Sequence, residues 1–142
     1  MAEASAQGLA LGRIVRLQAW ALRAPVLEPV RTSFGTMHDR PAVWLALTGE
    51  DGTVGWGEVW CNFPTVGAEH RARLLVDTLA PLACGVDWPD APGLQAALSQ
   101  RLHVLALQTG EPGPLAQCVA GIDAAAWDLL ARRAGLPLYR LL

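Results

Sequence analysis

The segment from Gln117 to Leu142 is the strongest periodic stretch in the chain and constrains its fold most. Its apolar residues recur at helical spacing, which places them on one stripe of a helix with about 3.6 residues per turn: Val119, Ile122, Ala126 and Leu129 or Leu130. The sequence predicts a helix from about Pro114 to Ala134, ended by Gly135. Small residues flank the stripe and permit close backbone approach, so we expect this helix at the centre of the fold.

Three earlier runs predict an antiparallel sheet. The runs are rich in β-branched and aromatic residues and span Arg13 to Arg23, Pro41 to Thr48 and Thr53 to Trp60. The sequence Gly49–Gly52 between the last two runs is typical of a hairpin turn. The predicted order is therefore three consecutive strands, each antiparallel to the next.

The pattern within the strands predicts which faces are buried. The second run is apolar on both faces, so we expect it to be covered on both sides, with Trp44, Trp56 and Trp127 in the core. Gly55 and Gly57 share one face of the third run, which indicates that another backbone approaches it closely.

Two further helices are predicted between the strands and the final helix. The first runs from Ala68 to about Ala83 and is kinked or shortened by Pro81. The second is capped by Asp90 and has one apolar stripe: Leu94, Leu98, Leu102 and Leu105. Strands followed by helices predict an α+β fold, with a three-stranded antiparallel sheet followed by a bundle of about three α-helices.

Two irregular stretches are candidates for function. Ala24–Arg40 contains two prolines, a glycine and no sustained period, and Cys61–Gly67 carries an aromatic residue and an amide. Both are predicted to be loops, the class of segment that most often contacts ligands.

The acids and histidines do not form an evident catalytic group. Asp123 and Asp128 are separated by about 140° around a helix, so the sequence favours an ion pair of Asp128 with Arg132 over a shared metal. The three histidines have no partner at helical spacing, and only His38 lies in a stretch expected to face a ligand.

Composition excludes several classes of function. All eleven basic residues are arginines, so the chain has no lysine base, and with a net charge of −2 they form no basic cluster for nucleic acid. No apolar run is long enough to span a membrane. The three cysteines lack metal or redox spacing and predict reduced thiols in the cytoplasm. Residues 1–11 are predicted to be a loose tail.

Three motifs, taken in order, carry a resemblance. The sequences Arg31–Gly35, Asp51–Glu58 and Ile122–Asp128, the last followed by Gly135–Leu142, are similar to the N-terminal capping domain of the enolase superfamily, in the mandelate racemase and muconate lactonizing enzyme branch. The resemblance covers residues 12–142, which we interpret as one domain that stops before a (β/α)₈ barrel.

This resemblance implies that a barrel domain carries the chemistry and that this domain contributes the lid. In the family, the barrel binds Mg²⁺, which stabilises an enediolate formed when a base removes the proton α to a substrate carboxylate, in racemisation, cycloisomerisation or acid-sugar dehydration. Two lid loops match Val26–His38 and Trp60–Gly67, and within them the candidate substrate contacts are Phe34, His38, Trp60, Asn62 and Phe63. No catalytic or metal residue is expected in this chain, whose partners would be a barrel, in cis or in trans, and a small carboxylate.

Two hypotheses follow from the sequence. The first is the capping domain of an isomerase or lyase, inactive without its barrel. The alternative is a stand-alone binding or interaction module that keeps the lid fold without catalysis. The hydrophobic fraction of 52% favours the first, because it implies apolar surface that is meant to be covered, and it predicts a homo-oligomer.

Overall fold

A four-stranded antiparallel sheet with helices on one face forms the domain, seen in a computed structural model that describes residues 9–62, 64 and 66–142. The strands are β1 (Gly12–Thr32), β2 (Gly35–Gly49), β3 (Val54–Val59) and β4 (Asp87–Trp88), in the order β3-β2-β1-β4. The helices are α1 (Gly67–Arg73), α2 (Ala80–Ala83), α3 (Ala91–Thr109), α4 (Pro112–Ala134) and α5 (Leu138–Leu141), with a π-helical turn (Leu74–Leu79) between the first two. The predicted α+β class is confirmed. The predicted sheet had three strands, and the structure adds the two-residue strand β4.

The largest departure from the prediction is the long hairpin of β1 and β2. The stretch Ala24–Arg40 was predicted to be a loop, yet β1 continues to Thr32 and pairs with β2 as far as Thr32 opposite Gly35. The register shifts between the pairs Pro25–Asp39 and Val30–Met37, so residues 26–29 form an irregularity opposite His38. Within the described chain β4 pairs only with the start of β1, so this arm is an edge, where proline is tolerated because no neighbour requires its missing N–H.

The first helical run contains a wide turn. The amide of Ala80 donates to the carbonyl of Leu75, five residues back, immediately before Pro81. Proline cannot donate the next helical hydrogen bond, and a π turn is one of the ways in which a helix accommodates such a site. Pro81 was predicted to kink or shorten the helix; the structure has a π turn at this point, and the run continues to Ala83.

The two long helices form the predicted core. On α3, Asp90 caps the N-terminus by accepting a hydrogen bond from the amide of Gly93 at 2.6 Å, as predicted. The predicted stripe of α4 is buried throughout, and α4 begins at Pro112, two residues earlier than predicted. Gly135 ends α4 in the left-handed conformation with a φ of 64°. These local signals are the most reliable part of the sequence interpretation, because they depend on neighbours within one turn.

The glycines of β3 pack directly on α4. A Cβ atom built on Gly55 would lie 2.1 Å from the carbonyl oxygen of Ala125, and one on Gly57 would lie 2.2 Å from that of Gly121. Because any side chain would overlap the helix backbone, only glycine permits this contact. The predicted close approach is confirmed, and its partner is the central helix.

The opposite face of the sheet is open in the described chain, which corrects the prediction for two tryptophans. Trp44 and Trp56 are 46% and 41% exposed, whereas Val43 and Leu45, on the face toward the helices, are fully buried. Trp127 is partly buried and packs against the core. Alternating residues of a strand point to opposite faces, and here only one face carries helices.

Candidate substrate-capping site

Both predicted lid segments begin at the same end of the sheet. Val43 pairs with Ala21 on one side and with Val59 on the other, so β3 ends beside the point where the hairpin arm of β1 and β2 leaves the sheet. The first capping segment (Val26–His38) is the outer part of that arm. The second capping segment (Trp60–Gly67) follows β3 directly. The fold therefore brings together two stretches that are distant in sequence.

Arg23 connects the hairpin to the start of α1. Its guanidinium donates to both carboxylate oxygens of Glu69, at 3.0 and 2.7 Å, and to Asp39 at 3.1 Å. The hydrogen bonds from Arg23 lower the pKa of the Glu69 carboxyl, so the pair stays charged. A bidentate contact of this type fixes orientation as well as distance. The network holds the bases of the two capping segments in one arrangement.

A buried arginine forms a hydrogen bond to the end of the second capping segment. Arg71 is 4% exposed and donates from Nε and Nη2 to the side-chain oxygen of Gln117, at 2.8 and 2.6 Å, and from Nη1 to the carbonyl of Gly67 at 2.9 Å. A buried cation is tolerated only when its donors are satisfied, and these bonds satisfy one donor on each nitrogen. They join the end of the capping segment to α4.

The surroundings of Arg71 are closed to solvent. Cys118 is fully buried, and its thiol lies 3.7 Å from the carbonyl of Arg71. Burial raises the pKa of this thiol to about 12. All three cysteines are free, and Cys118 has the properties of a packing residue, because a protonated buried thiol is a poor nucleophile.

The candidate contact residues are distributed over both segments. Phe34 is 86% exposed in the hairpin turn, where its amide donates to the Thr32 hydroxyl at 3.2 Å. His38 is exposed opposite the register shift, Trp60 is 55% exposed and Asn62 is half-buried. Phe63 lies outside the described residues. Their role as substrate contacts stays a prediction.

Sequence reasoning missed the residues that position these segments. Arg71 lies on the stripe formed by Ala68, Leu75 and Leu79, which are all buried, so helical spacing already placed it on an interior face. The helical spacing therefore predicts a buried arginine whose N–H groups are hydrogen-bonded. Its partner Gln117 is 46 residues away in sequence, and no local pattern identifies it.

The acids of α4 have structural partners. Asp128 accepts hydrogen bonds from Arg132 at 2.7 Å, as predicted, and also from the backbone amide of Trp56 at 2.8 Å, which was not predicted. Asp123 is half-buried, and burial raises the pKa of its carboxyl. Asp51, in the turn between β2 and β3, pairs with Arg133 at 2.8 and 2.9 Å.

The described chain offers no arrangement that suits a metal ion. Among residues 9–62, 64 and 66–142, no three His, Cys, Asp or Glu side chains converge on one point. The residues present therefore do not fit a Mg²⁺ site of their own, because that ion requires several oxygen ligands around one position. In the same residues, no helix combines the length and apolarity needed to cross a bilayer.

The sequence and the fold of this chain are both similar to those of known proteins. Residues 16–142 match the family described as mandelate racemase/muconate lactonizing enzyme, N-terminal domain. A mandelate racemase/muconate lactonizing enzyme from Bordetella bronchiseptica RB50 is 52% identical, with a TM-score of 0.81 over 90% of this chain and 32% of that one. An enolase from Bradyrhizobium, in complex with magnesium and mandelic acid, is 25% identical, with a TM-score of 0.75 over 92% of this chain and 34% of that one.

Curated relatives catalyse several reactions. A hydrophobic dipeptide epimerase from Roseobacter litoralis is 34% identical over 80% of this chain and 29% of its own length. Other relatives are an N-succinyl-L-Arg/Lys racemase, an o-succinylbenzoate synthase and D-galactonate dehydratases. The chain spans about a third of the length of the first relatives it matches. It belongs to the mandelate racemase/muconate lactonizing enzyme family of the enolase superfamily, and the part of that family it represents is the N-terminal domain.

Proposed function

We propose that this domain is the substrate lid of an enzyme that removes the proton α to a carboxylate in a Mg²⁺-dependent racemisation, cycloisomerisation or acid-sugar dehydration. The proposal assigns the base and the metal to a (β/α)₈ barrel that follows the domain. This chain contributes the walls of the closed site and selects the substrate. By itself it is inactive, because it has no lysine base and its described residues hold no metal cluster.

The observation that carries the proposal is the contact between Arg23 and Glu69. It joins the hairpin arm to the helix that follows the second capping segment, although these elements are 46 residues apart in sequence. A hairpin arm and a loop held at one end of a rigid sheet have the arrangement needed to close together over a substrate and to exclude water. The exposed aromatic residues Phe34 and Trp60 supply apolar contact area at that end.

The range of relatives supports the reaction class but not one substrate. Epimerases, a racemase and dehydratases all appear among them. Racemisation at the carbon next to a carboxylate requires loss of its proton, and elimination of water from an acid sugar can begin with the same step. We therefore propose the shared proton abstraction and leave the substrate open among dipeptides, N-acyl amino acids, hydroxy acids and acid sugars.

The proposed enzyme is cytoplasmic and a homo-oligomer. Buried free thiols suit a cytoplasmic enzyme, and exposed apolar surface suits a homo-oligomer.

The test is to read the natural reading frame beyond the codon for Leu142 and to express its whole product. We expect the frame to continue for roughly 200–250 residues, the size of a barrel. The product is incubated in D₂O with Mg²⁺ and the four substrate classes, and exchange of the α-proton is followed by ¹H NMR. The matched control is the chain of residues 1–142 under the same conditions.

Exchange by the long product and none by the chain alone would support the proposal. It is overturned if the frame ends at Leu142 and no barrel protein copurifies with the chain. Exchange catalysed by the 142-residue chain would overturn the assignment of the base to the barrel.

A further inference from the structure

Two residues of β2 place basic side chains on the exposed face of the hairpin arm. Alternate residues of a strand point to opposite faces, and Met37 and Val43 are buried on the face toward the helices. His38 and Arg40 alternate with them and are both exposed. They are neighbours on the other face, about 7 Å apart along the strand.

Arg31 of β1 extends this row of basic residues. It is paired with Thr36 on β2, which lies on the same face as His38 and Arg40, and directly paired residues point to the same side of a sheet. We call Arg31, His38 and Arg40 the basic strip. The strip extends about 13 Å along the arm, from Arg40 to the level of Thr36.

The two arginines of the basic strip are not neutralised by the described chain. Within residues 9–62, 64 and 66–142, neither Arg31 nor Arg40 has a hydrogen-bonding or ion-pair partner. Arg23 differs from them, because it lies on the opposite face of the arm and is bound to Asp39 and Glu69. The acids of that network therefore do not compensate the strip.

Two further acids lie near the strip, and neither cancels its charge. Glu28 lies in the irregular segment opposite His38 and can balance one of the two arginines at most. Glu58 is on the same face, paired with Trp44, about 13 Å along the sheet from Arg40. Exposed charges at that separation are largely screened at physiological ionic strength. The exposed face of the arm thus keeps a net positive charge.

We infer that the basic strip binds a second anionic group of the substrate, so that the enzyme acts on acids with a carboxylate or phosphate remote from the reacting carbon. This inference rests on the proposed function, in which the carboxylate next to the reacting carbon is engaged outside this chain. A guanidinium group matches two oxygens of a carboxylate or phosphate with paired N–H donors. Two unneutralised arginines on a lid favour a substrate with a charged remote end over one with a neutral end.

The test compares matched pairs of acids that differ in the remote group. Galactarate is compared with galactonate and N-succinyl-L-leucine with N-acetyl-L-leucine for a second carboxylate, and 6-phosphogluconate with gluconate for a phosphate. Exchange of the α-proton in D₂O by the whole product of the natural reading frame gives kcat/KM for each acid. In at least one pair, we expect kcat/KM to be roughly 10- to 100-fold higher with the second anionic group, the range typical of a hydrogen bond to a charged group.

Variants of the strip assign this preference to the arm. Arg31→Gln and Arg40→Gln should each reduce it by about tenfold, mainly through a higher KM, because a charged hydrogen bond to the remote group is lost. Arg40→Lys should retain part of it, because lysine keeps the charge without the paired donors. Arg16→Gln is the matched control, since Arg16 is exposed on β1 about 27 Å from Ala24, the residue paired with Arg40. Circular dichroism checks that each variant keeps the fold.

The outcomes separate this inference from the proposed function. Similar kcat/KM values within every pair would show that the inference is wrong, while the proposed function stands. A preference that survives in both glutamine variants would also overturn it, because the second anionic group would then be bound elsewhere. A preference confined to the third pair would support the inference and identify the group as a phosphate. Absence of exchange with every acid would overturn the proposed function, and this inference with it.

Discussion

Gly57 on β3 lies against the carbonyl oxygen of Gly121 on α4, where a Cβ atom would come within 2.2 Å of that oxygen. We predict that Gly57→Ala destabilises the domain by at least about 1–3 kcal/mol, because relief of the overlap requires the strand and the helix to separate. Urea unfolding followed by circular dichroism measures the loss.

Gly113→Ala is the matched control for this prediction. Gly113 lies near the start of α4, and a Cβ atom added there would have no other atom within 4 Å. Alanine there should be neutral or stabilise by up to about 1 kcal/mol, because it is the better helix former. Equal effects of the two substitutions would show that the close contact between β3 and α4 is not a constraint.

The contact of Arg23 with Glu69 predicts a local effect on the lid. Both side chains are substantially exposed, so Glu69→Gln should change global stability by less than about 1 kcal/mol. Hydrogen exchange should nevertheless become faster in the two capping segments, because the charged link between their bases is weakened. Arg16→Gln, an exposed change on the same strand, is the control. Unchanged exchange in Glu69→Gln would contradict a positioning role.

The pair of Asp51 and Arg133 predicts a dependence of stability on pH. The Arg133 guanidinium holds the pKa of the Asp51 carboxyl well below its usual range near 4 in the folded protein. As pH falls below about 4, the unfolded chain takes up a proton that the folded chain does not, so the contribution of the pair is complete above that pH and declines below it.

We therefore expect Asp51→Asn to be less stable than the wild type at pH 7, with a difference that shrinks as pH falls below about 4. Urea unfolding of both proteins at pH 7, 4 and 3 measures the difference. Glu50→Gln, in the same exposed turn, is the control. A difference that grows on acidification would contradict the sign of the pKa change.

The buried Arg71 predicts non-additive mutations. Arg71→Met should destabilise the domain by about 1–3 kcal/mol, because the side-chain oxygen of Gln117 and the carbonyl of Gly67 lose their donors. The double variant Arg71→Met with Gln117→Leu should recover part of that loss, because the unpaired oxygen is removed as well. Additive losses in the two single variants would show that the pair does not interact.

Prediction from sequence was accurate where the determinants are local. The structure confirms three such features: the apolar stripe and C-terminal end of α4, the cap at Asp90, and the hairpin turn at Gly49–Gly52. Each is set by residues within a few positions of one another. The hairpin arm was missed because Pro25 and Pro29 break a strand only where a neighbour needs their amides. Whether a strand lies at an edge is decided by sheet order, which local sequence does not contain.

The candidate site was predicted in outline only. The resemblance identified Val26–His38 and Trp60–Gly67 as lid segments, but it did not give the contacts that hold them. Arg23 with Glu69 and Arg71 with Gln117 are each separated by 46 residues. Pairs at that separation form because the fold brings their elements together.

The sequence by itself determined the order and type of the main elements and the need for glycine on β3, since periodicity and the absence of side chains are properties of the chain. Tertiary structure alone decided that Trp44 lies on an open face while Val43 and Leu45 lie in the core. Alternation along a strand distinguishes two faces, but it does not say how many layers cover them. That depends on where the helices pack, and here they pack on one side.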